Sequence, residues 1–317
     1  MANTEVRARA VFIDSEATYG TDPTPTEAFS TLGDSPRVMP QTVPVENEAV
    51  IATQDGLAHK SYPSHNDVSI EAHLFGKSGA AGTSPVQIAI FHAAGFGETI
   101  VASTSSTLTP ITSHTDANAP AMTVYEEVYH TNGQMRRGKA SGVRGNLVLD
   151  LQMDTYAKMT FTGIGLFAEL AGLASGTAPA LTAYDGGKDP MLVRGITFDL
   201  DGSSYCVTGL DLSTNWSLEE ERCATGASSL DSVHLVRGSG SRMGGTLSAQ
   251  DAAALDAIIA AIGADSELDL SVTLTDSTDT IEVSMTIQFG QYERSGGNLG
   301  SYSFPYFVVG SPEVVFT

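Results

Sequence analysis

Val143-Arg144-Gly145-Asn146-Leu147-Val148-Leu149-Asp150-Leu151 decides the fold class. Leu147, Leu149 and Leu151 fall on one side of an extended chain, and Asn146, Val148 and Asp150 fall on the other. Apolar residues at every second position mark a β-strand with one buried face. Upstream, Val68, Ile70, Ala72 and Leu74 alternate with Ser69, Glu71, His73 and Phe75. Downstream, Leu268 to Leu274 and Ile281 to Phe289 alternate on either side of the polar turn Asp276-Ser277-Thr278-Asp279. Asn132-Gly133 supplies the left-handed positions of a tight hairpin turn between Met122–His130 and Met135–Ala140. Val6–Ile13 and Ala157–Phe167 read as further strands. Met191–Leu200 and Ser204–Leu212 read as a hairpin around Asp201-Gly202. Shorter extended pieces follow at 215–221, 232–237, 244–247 and 304–316. The expected fold is mainly β.

Two helices interrupt the strands. Ser84-Pro85 reads as N-cap and first turn of a short apolar helix, Val86 to Ala94, closed by Gly95. Ser248 reads as N-cap of Ala249–Ile262, closed by Gly263. Pro23, Pro25, Pro36, Pro40 and Pro44 keep the early chain extended, and residues 101–120 read as a Ser/Thr/Pro loop. The Ala/Gly/Thr/Pro stretch 171–190 reads as a linker between a part at 1–170 and a second β-rich part at 191–317. Each part holds a strand, a helix and an opposed strand pair, so a duplicated module is expected.

Composition narrows the function. Of 317 residues, 41% are hydrophobic and only 17% charged, against about 25% charged in an average domain. Sixteen basic residues face 37 acidic ones, a formal charge of −21. Such a surface repels nucleic acid, whose binding needs phosphate neutralisation. No apolar run reaches the roughly 20 residues of a membrane helix. Met1 to Glu5 has no basic region followed by an apolar stretch, so no secretory signal is expected. Cys206 and Cys223 read as two reduced thiols.

No catalytic constellation emerges. His59, His65, His73, His92, His114, His130 and His234 are scattered, without metal-ligand spacing. There is no G-x-S-x-G elbow and no phosphate loop. Gly163-Ile164-Gly165-Leu166-Phe167-Ala168 lacks the βαβ context of a dinucleotide site. Asp199-Leu200-Asp201-Gly202 reads as a hairpin turn, not a calcium loop. The expectation is no catalytic residue, no cofactor and no metal. One basic cluster stands out, Arg136, Arg137, Lys139 and Arg144. It reads either as a solvated strand edge or as an electrostatic match to acidic surface on a neighbouring copy.

Glu16-Ala17-Thr18-Tyr19-Gly20-Thr21-Asp22-Pro23-Thr24-Pro25 resembles the opening of the major tail tube proteins of long-tailed, siphovirus-like bacteriophages. The order that follows is similar too: an extended loop, a strand, a Gly-rich turn and a short apolar helix closed by glycine. So are the Tyr-rich strand into the Asn-Gly hairpin, Gly142-Val143-Arg144-Gly145-Asn146 and Met159-Thr160-Phe161-Thr162-Gly163. The resemblance covers roughly residues 5–170.

It implies β-sandwich or half-barrel modules, each with one short flanking helix, whose inner strands join a ring-wide β-barrel. The implied role is a structural virion protein whose stacked rings form a DNA-conducting tube without enzymatic activity. Tyr19, Arg136, Arg137, Lys139 and Arg144 become candidate subunit-interface residues. Asp150, Asp269 and Glu282, on polar faces of alternating strands, become candidate lumen residues that keep DNA from sticking. The implied partners are the chain itself and the tail terminator, distal tail and tape-measure proteins of the same virion. Two modules per chain favour a trimeric, pseudo-hexameric ring, with a hexamer as the alternative. DNA passes without specific binding, no membrane is involved, and the location is the virion tail after assembly in the host cytoplasm. A tail terminator, baseplate or head-decoration subunit is the alternative role. A carbohydrate-binding β-sandwich is disfavoured by a single tryptophan, Trp216, and 7% aromatics.

Overall fold

The computed structural model describes residues 6–33, 37–45, 60–111, 120–168, 174–180, 184–200, 203–222, 230–236, 242–249, 252–276, 278–290 and 302–317. The first part contains β1 (Val6–Ser15), β2 (Ala28–Phe29), β3 (Arg37–Val45), β4 (Lys60–His73) and α1 (Ile88–Ala93). It continues with β5 (Phe96–Val101), β6 (Ser105–Pro110), β7 (Met122–His130), β8 (Gln134–Gln152), β9 (Lys158–Leu166) and β10 (Ala174–Ser175). The second part contains β11 (Leu192–Leu200), β12 (Ser203–Cys206), β13 (Gly209–Ser213), β14 (Ser217–Arg222), β15 (Leu230–Val236) and β16 (Gly244–Ala249). There follow α2 (Ala252–Ala264), β17 (Glu267–Thr275), β18 (Thr280–Phe289) and β19 (Tyr302–Phe316). The architecture is mainly β, built from large antiparallel sheets.

β8 organises the molecule. Its first half pairs with β7, which pairs with β1, and β1 with β2. At Gly142 the backbone takes a φ of +60° and the register shifts between Ser141 and Arg144. The second half then enters another sheet, with β9 on one edge and β13 on the other. Beyond β9 come β4 and β3. Beyond β13 come β16, β19, β18, β17, β11 and β12. The Val207 N–H donates to the Ile196 carbonyl at 3.1 Å, so β12 runs on into β13. The pairings therefore close a circuit of six strands: β11, β17, β18, β19, β16 and the joined β12–β13.

The alternation read in the sequence sets the sidedness. Leu147, Leu149 and Leu151 are buried, as are Leu268, Leu270, Val272, Leu274, Ile281, Val283, Met285 and Ile287. All belong to one core that spans both parts of the chain. The parts also share sheets, because β13 pairs with β8 and β6 with β19. The stretch read as a linker contributes β10 and a 3-10 turn, Asp185–Gly187, whose Asp185 carboxylate accepts the Ser30 N–H at 2.9 Å.

Local expectations needed correction at several points. Ser248 lies inside β16, where its carbonyl accepts from Thr208, and α2 starts at Ala252. α1 is shorter than expected, and the Ser84 hydroxyl donates to Glu98 instead of capping the helix. The 101–120 stretch is not all loop: Ser106, Leu108 and Pro110 are the buried positions of β6, and its threonines suit a strand. Pro40 fits within β3 because, among the described strands, β3 pairs only with β4, and the register shifts between Pro40 and Thr42. Cys223 and the Asp201-Gly202 turn lie outside the described residues.

Candidate assembly surface

The loop after β1 is pinned by one carboxylate. Glu16 is 6% exposed. Its Oε1 accepts from the Thr123 hydroxyl at 2.6 Å and the Gly142 N–H at 2.7 Å, and its Oε2 from the Gly20 N–H at 2.6 Å. This ties the Glu16–Gly20 turn to β7 and to the bend in β8. The signal for this contact in the sequence is a carboxylate four residues ahead of a glycine, Glu16 before Gly20.

Tyr19 and Arg144 meet beside that bend. The Arg144 guanidinium lies 4.4 Å from the centre of the Tyr19 ring. Arg144 Nη1 donates to the Val233 carbonyl at 2.7 Å, and the Val233 N–H donates to Tyr19 Oη at 2.8 Å. A Cβ at Gly142 would stand 2.8 Å from Tyr19 Cζ, so glycine gives both the positive φ and the space. Arg144 shares the parity of Asn146 and Asp150, yet it is fully buried, because β15 lies over it. Its place among the candidate contact residues is therefore corrected: its partners are internal.

Most of the remaining basic cluster is also used inside the chain. Arg137 Nε donates to Glu127 Oε1 at 2.7 Å, and the Tyr129 hydroxyl donates to the same carboxylate. Burial, then Glu127, pushes the Tyr129 hydroxyl well above its ordinary titration range. The Arg137 guanidinium also stands 4.5 Å from the centre of the Tyr125 ring. Lys139 Nζ pairs with Asp22 Oδ2 at 2.8 Å, and Tyr125 donates to the same carboxylate. Burial pushes Tyr125 up to about 12, helped by Asp22. Asp22 is held below the usual carboxylate range: burial opposes this, and bonds from Lys139, Tyr125 and the Thr24 N–H outweigh it. Arg136 alone of the four is exposed, and it forms no ion pair among the described residues.

The three candidate lumen carboxylates project away from the core. Asp150 is half-buried and accepts from Gln152 at 3.1 Å. It stands opposite Lys158 on β9 and Asp211 on β13. Burial raises the Asp211 carboxyl and Asp150 adds to the rise, against a 2.9 Å bond from the Thr246 hydroxyl. Asp269 and Glu282 are exposed, bonded by Thr286 at 2.9 Å and by Ser271 at 3.4 Å. By register, Asp67, Glu71, Glu267 and Glu313 take the same outward parity.

No family model matches the chain, and no curated protein matches it. Among the described residues, no three His, Cys, Asp or Glu side chains converge in a group that could hold a metal ion. No helix among them is long and apolar enough to cross a membrane.

Proposed function

We propose that the chain is the major subunit of a bacteriophage tail tube, a structural virion protein that assembles with itself into stacked rings around a DNA-conducting channel. The carrying observation is the antiparallel sheet running from β3 through β8 to β13 and on into the six-strand circuit. Its inner side is apolar, and its outer side is hydroxyl- and carboxylate-rich. In this reading the two parts are half-barrel modules with one flanking helix each, and their strands line a ring-wide β-barrel. A trimeric, pseudo-hexameric ring is the favoured form. β3 presents an edge without a partner among the described strands, which supports sheet extension between copies. The surrounding tail terminator, distal tail and tape-measure proteins are the other proposed partners, and the virion tail is the proposed location.

Light scattering after size exclusion, in buffer with a chelator, is expected to show ring-sized particles or longer polymers, and negative-stain microscopy tubes. Discrete single rings would move the reading to a terminator or baseplate subunit. A chain that stays monomeric at high concentration would overturn self-assembly altogether.

A further inference from the structure

Arg9 stands opposite Val128, and Val128 stands opposite Arg136, so one row across β1, β7 and β8 carries two guanidinium groups around an aliphatic centre. Both arginines are exposed and Val128 is partly so. Neither arginine forms an ion pair among the described residues. Strand spacing puts their Cα atoms about 10 Å apart. The neighbouring cations are already taken, Arg137 by Glu127 and Lys139 by Asp22. In a chain with 16 basic and 37 acidic residues, two exposed arginines that form no ion pair among the described residues make a basic patch on a predominantly acidic molecule; Glu126, two positions along β7 from Val128, accepts the Val38 N–H at 3.0 Å.

A matching acidic surface lies elsewhere on the same chain. Among the described strands β14 pairs only with β15, as a two-stranded ribbon outside the main sheet. Leu230, Val233 and Leu235 are buried and anchor the ribbon. Glu219 and Glu221 are exposed on its outward face, about 7 Å apart by strand geometry. Glu220, on the other face, is held by Arg222. Glu221 accepts from Ser232 and His234 on the neighbouring strand and keeps its outward place.

The two surfaces are separated along β8. Val233, opposite Glu220, binds Arg144, while Arg136 lies eight residues earlier in β8, beyond the bend at Gly142. We infer that the Arg9–Arg136 row docks against the Glu219/Glu221 ribbon of a second copy of the chain. This rests on the self-assembly reading above and names the surfaces that would carry it. Two different patches make a heterologous contact, which propagates into a closed ring or an open row. Exposed charges of this kind set association rate and register, and salt screens them over about 8–10 Å.

The test compares R9E/R136E, E219R/E221R and the quadruple variant with the wild type, by light scattering over a concentration series. Each double variant is expected to raise the half-assembly concentration about tenfold, the factor that about 1.4 kcal/mol makes in an equilibrium constant. The quadruple variant is expected to return it to the wild-type range, and added salt to narrow the differences. Circular dichroism melts check folding. Where a reversal variant does not fold, R9Q/R136Q and E219Q/E221Q take its place, with the same shift expected. Wild-type-like assembly of either double variant, or a quadruple variant no better than the doubles, would overturn the docking while leaving self-assembly standing. A wild type that never associates would overturn both.

Discussion

Arg144 and Tyr19 bind the two backbone groups of one residue: the guanidinium takes the Val233 carbonyl, and the phenol oxygen takes the Val233 N–H. The cation also rests on the ring, 4.4 Å from its centre. Residues far apart in sequence thus fix how the β14–β15 ribbon sits on the bend in β8. Tyr19→Phe is expected to cost about 1–2 kcal/mol, because the Val233 N–H loses its acceptor. Arg144→Leu is expected to cost about 1–3 kcal/mol through the orphaned carbonyl. The losses should not add: a double-mutant cycle by urea denaturation is expected to return a coupling of about 0.5 kcal/mol or more. Additive losses would mean that the stacked pair does not act as a unit.

Arg136 and Arg137 are adjacent in sequence and opposite in consequence. Arg137→Ala leaves the carboxylate of Glu127, 4% exposed, without its cation, at an expected cost of about 3 kcal/mol. Arg136→Ala touches nothing buried and should stay within about 0.5 kcal/mol of wild type. Urea midpoints decide between them. Equal losses at both positions would contradict the internal role of Arg137. A charge reversal at both positions together would confuse unfolding with lost assembly, so association tests belong at Arg136.

The difference between those neighbours was not legible in the sequence, whereas the strands that carry them were. Alternation identified β8, β17 and β18 because one face of each meets a core, a property each strand carries in its own residues. Asn132-Gly133 marked the β7–β8 turn for the same local reason. The burial of Arg144 depends on β15, about 90 residues away, and no periodicity within β8 encodes it. The pairing of Glu127 with Arg137 depends on hairpin register: a two-residue Asn132-Gly133 turn would set Glu127 opposite Gly138, whereas the strands join through residues 131–133, with only Gly133 of the pair at positive φ, and set it opposite Arg137. The six-strand circuit depends on β12 continuing into β13, and the sequence reading of Ser204–Leu212 as one strand held that continuity without showing which neighbours it meets.

The Asp150–Asp211 pair predicts a pH response. Burial, and then Asp150, raise the Asp211 carboxyl above its ordinary value of 3.8. Below that value both folded and unfolded chains hold the proton, and nothing is lost. As pH rises through the window above it, the unfolded chain releases the proton first, so folding loses stability and the loss is complete above the folded value. Asp211→Asn removes the repulsion and can still accept from Thr246. It is expected to raise the melting temperature at pH 7, with the gain vanishing near pH 3. A gain that persists unchanged at pH 3, or a loss at pH 7, would show that the carboxylate pair is not strained.

The acidic outer side of the sheet makes the last prediction, which concerns DNA in the assembled state. Asp150, Asp269 and Glu282 share the outward parity of strands whose other side is the core. If these faces line a channel, each ring repeats the carboxylates around the wall. The potential then reaches about 8–10 Å inward at physiological salt. A duplex in the channel is repelled from every side and makes no counterion-releasing contacts. D150K/D269K/E282K changes three charges by two units each, taking the formal −21 per chain to −15, and places cations where phosphates pass. The expected outcome is that wild-type assemblies retain no duplex DNA on a filter at about 0.1 M salt, while assemblies of the triple variant retain it and release it as salt rises. Carboxylates on the outside of the particle would serve solubility alone. The same reversal would then leave the channel unchanged, and DNA would be retained only on the outer surface, open to nuclease. A structure of the assembled particle with these three side chains facing away from the channel would sink the proposal outright.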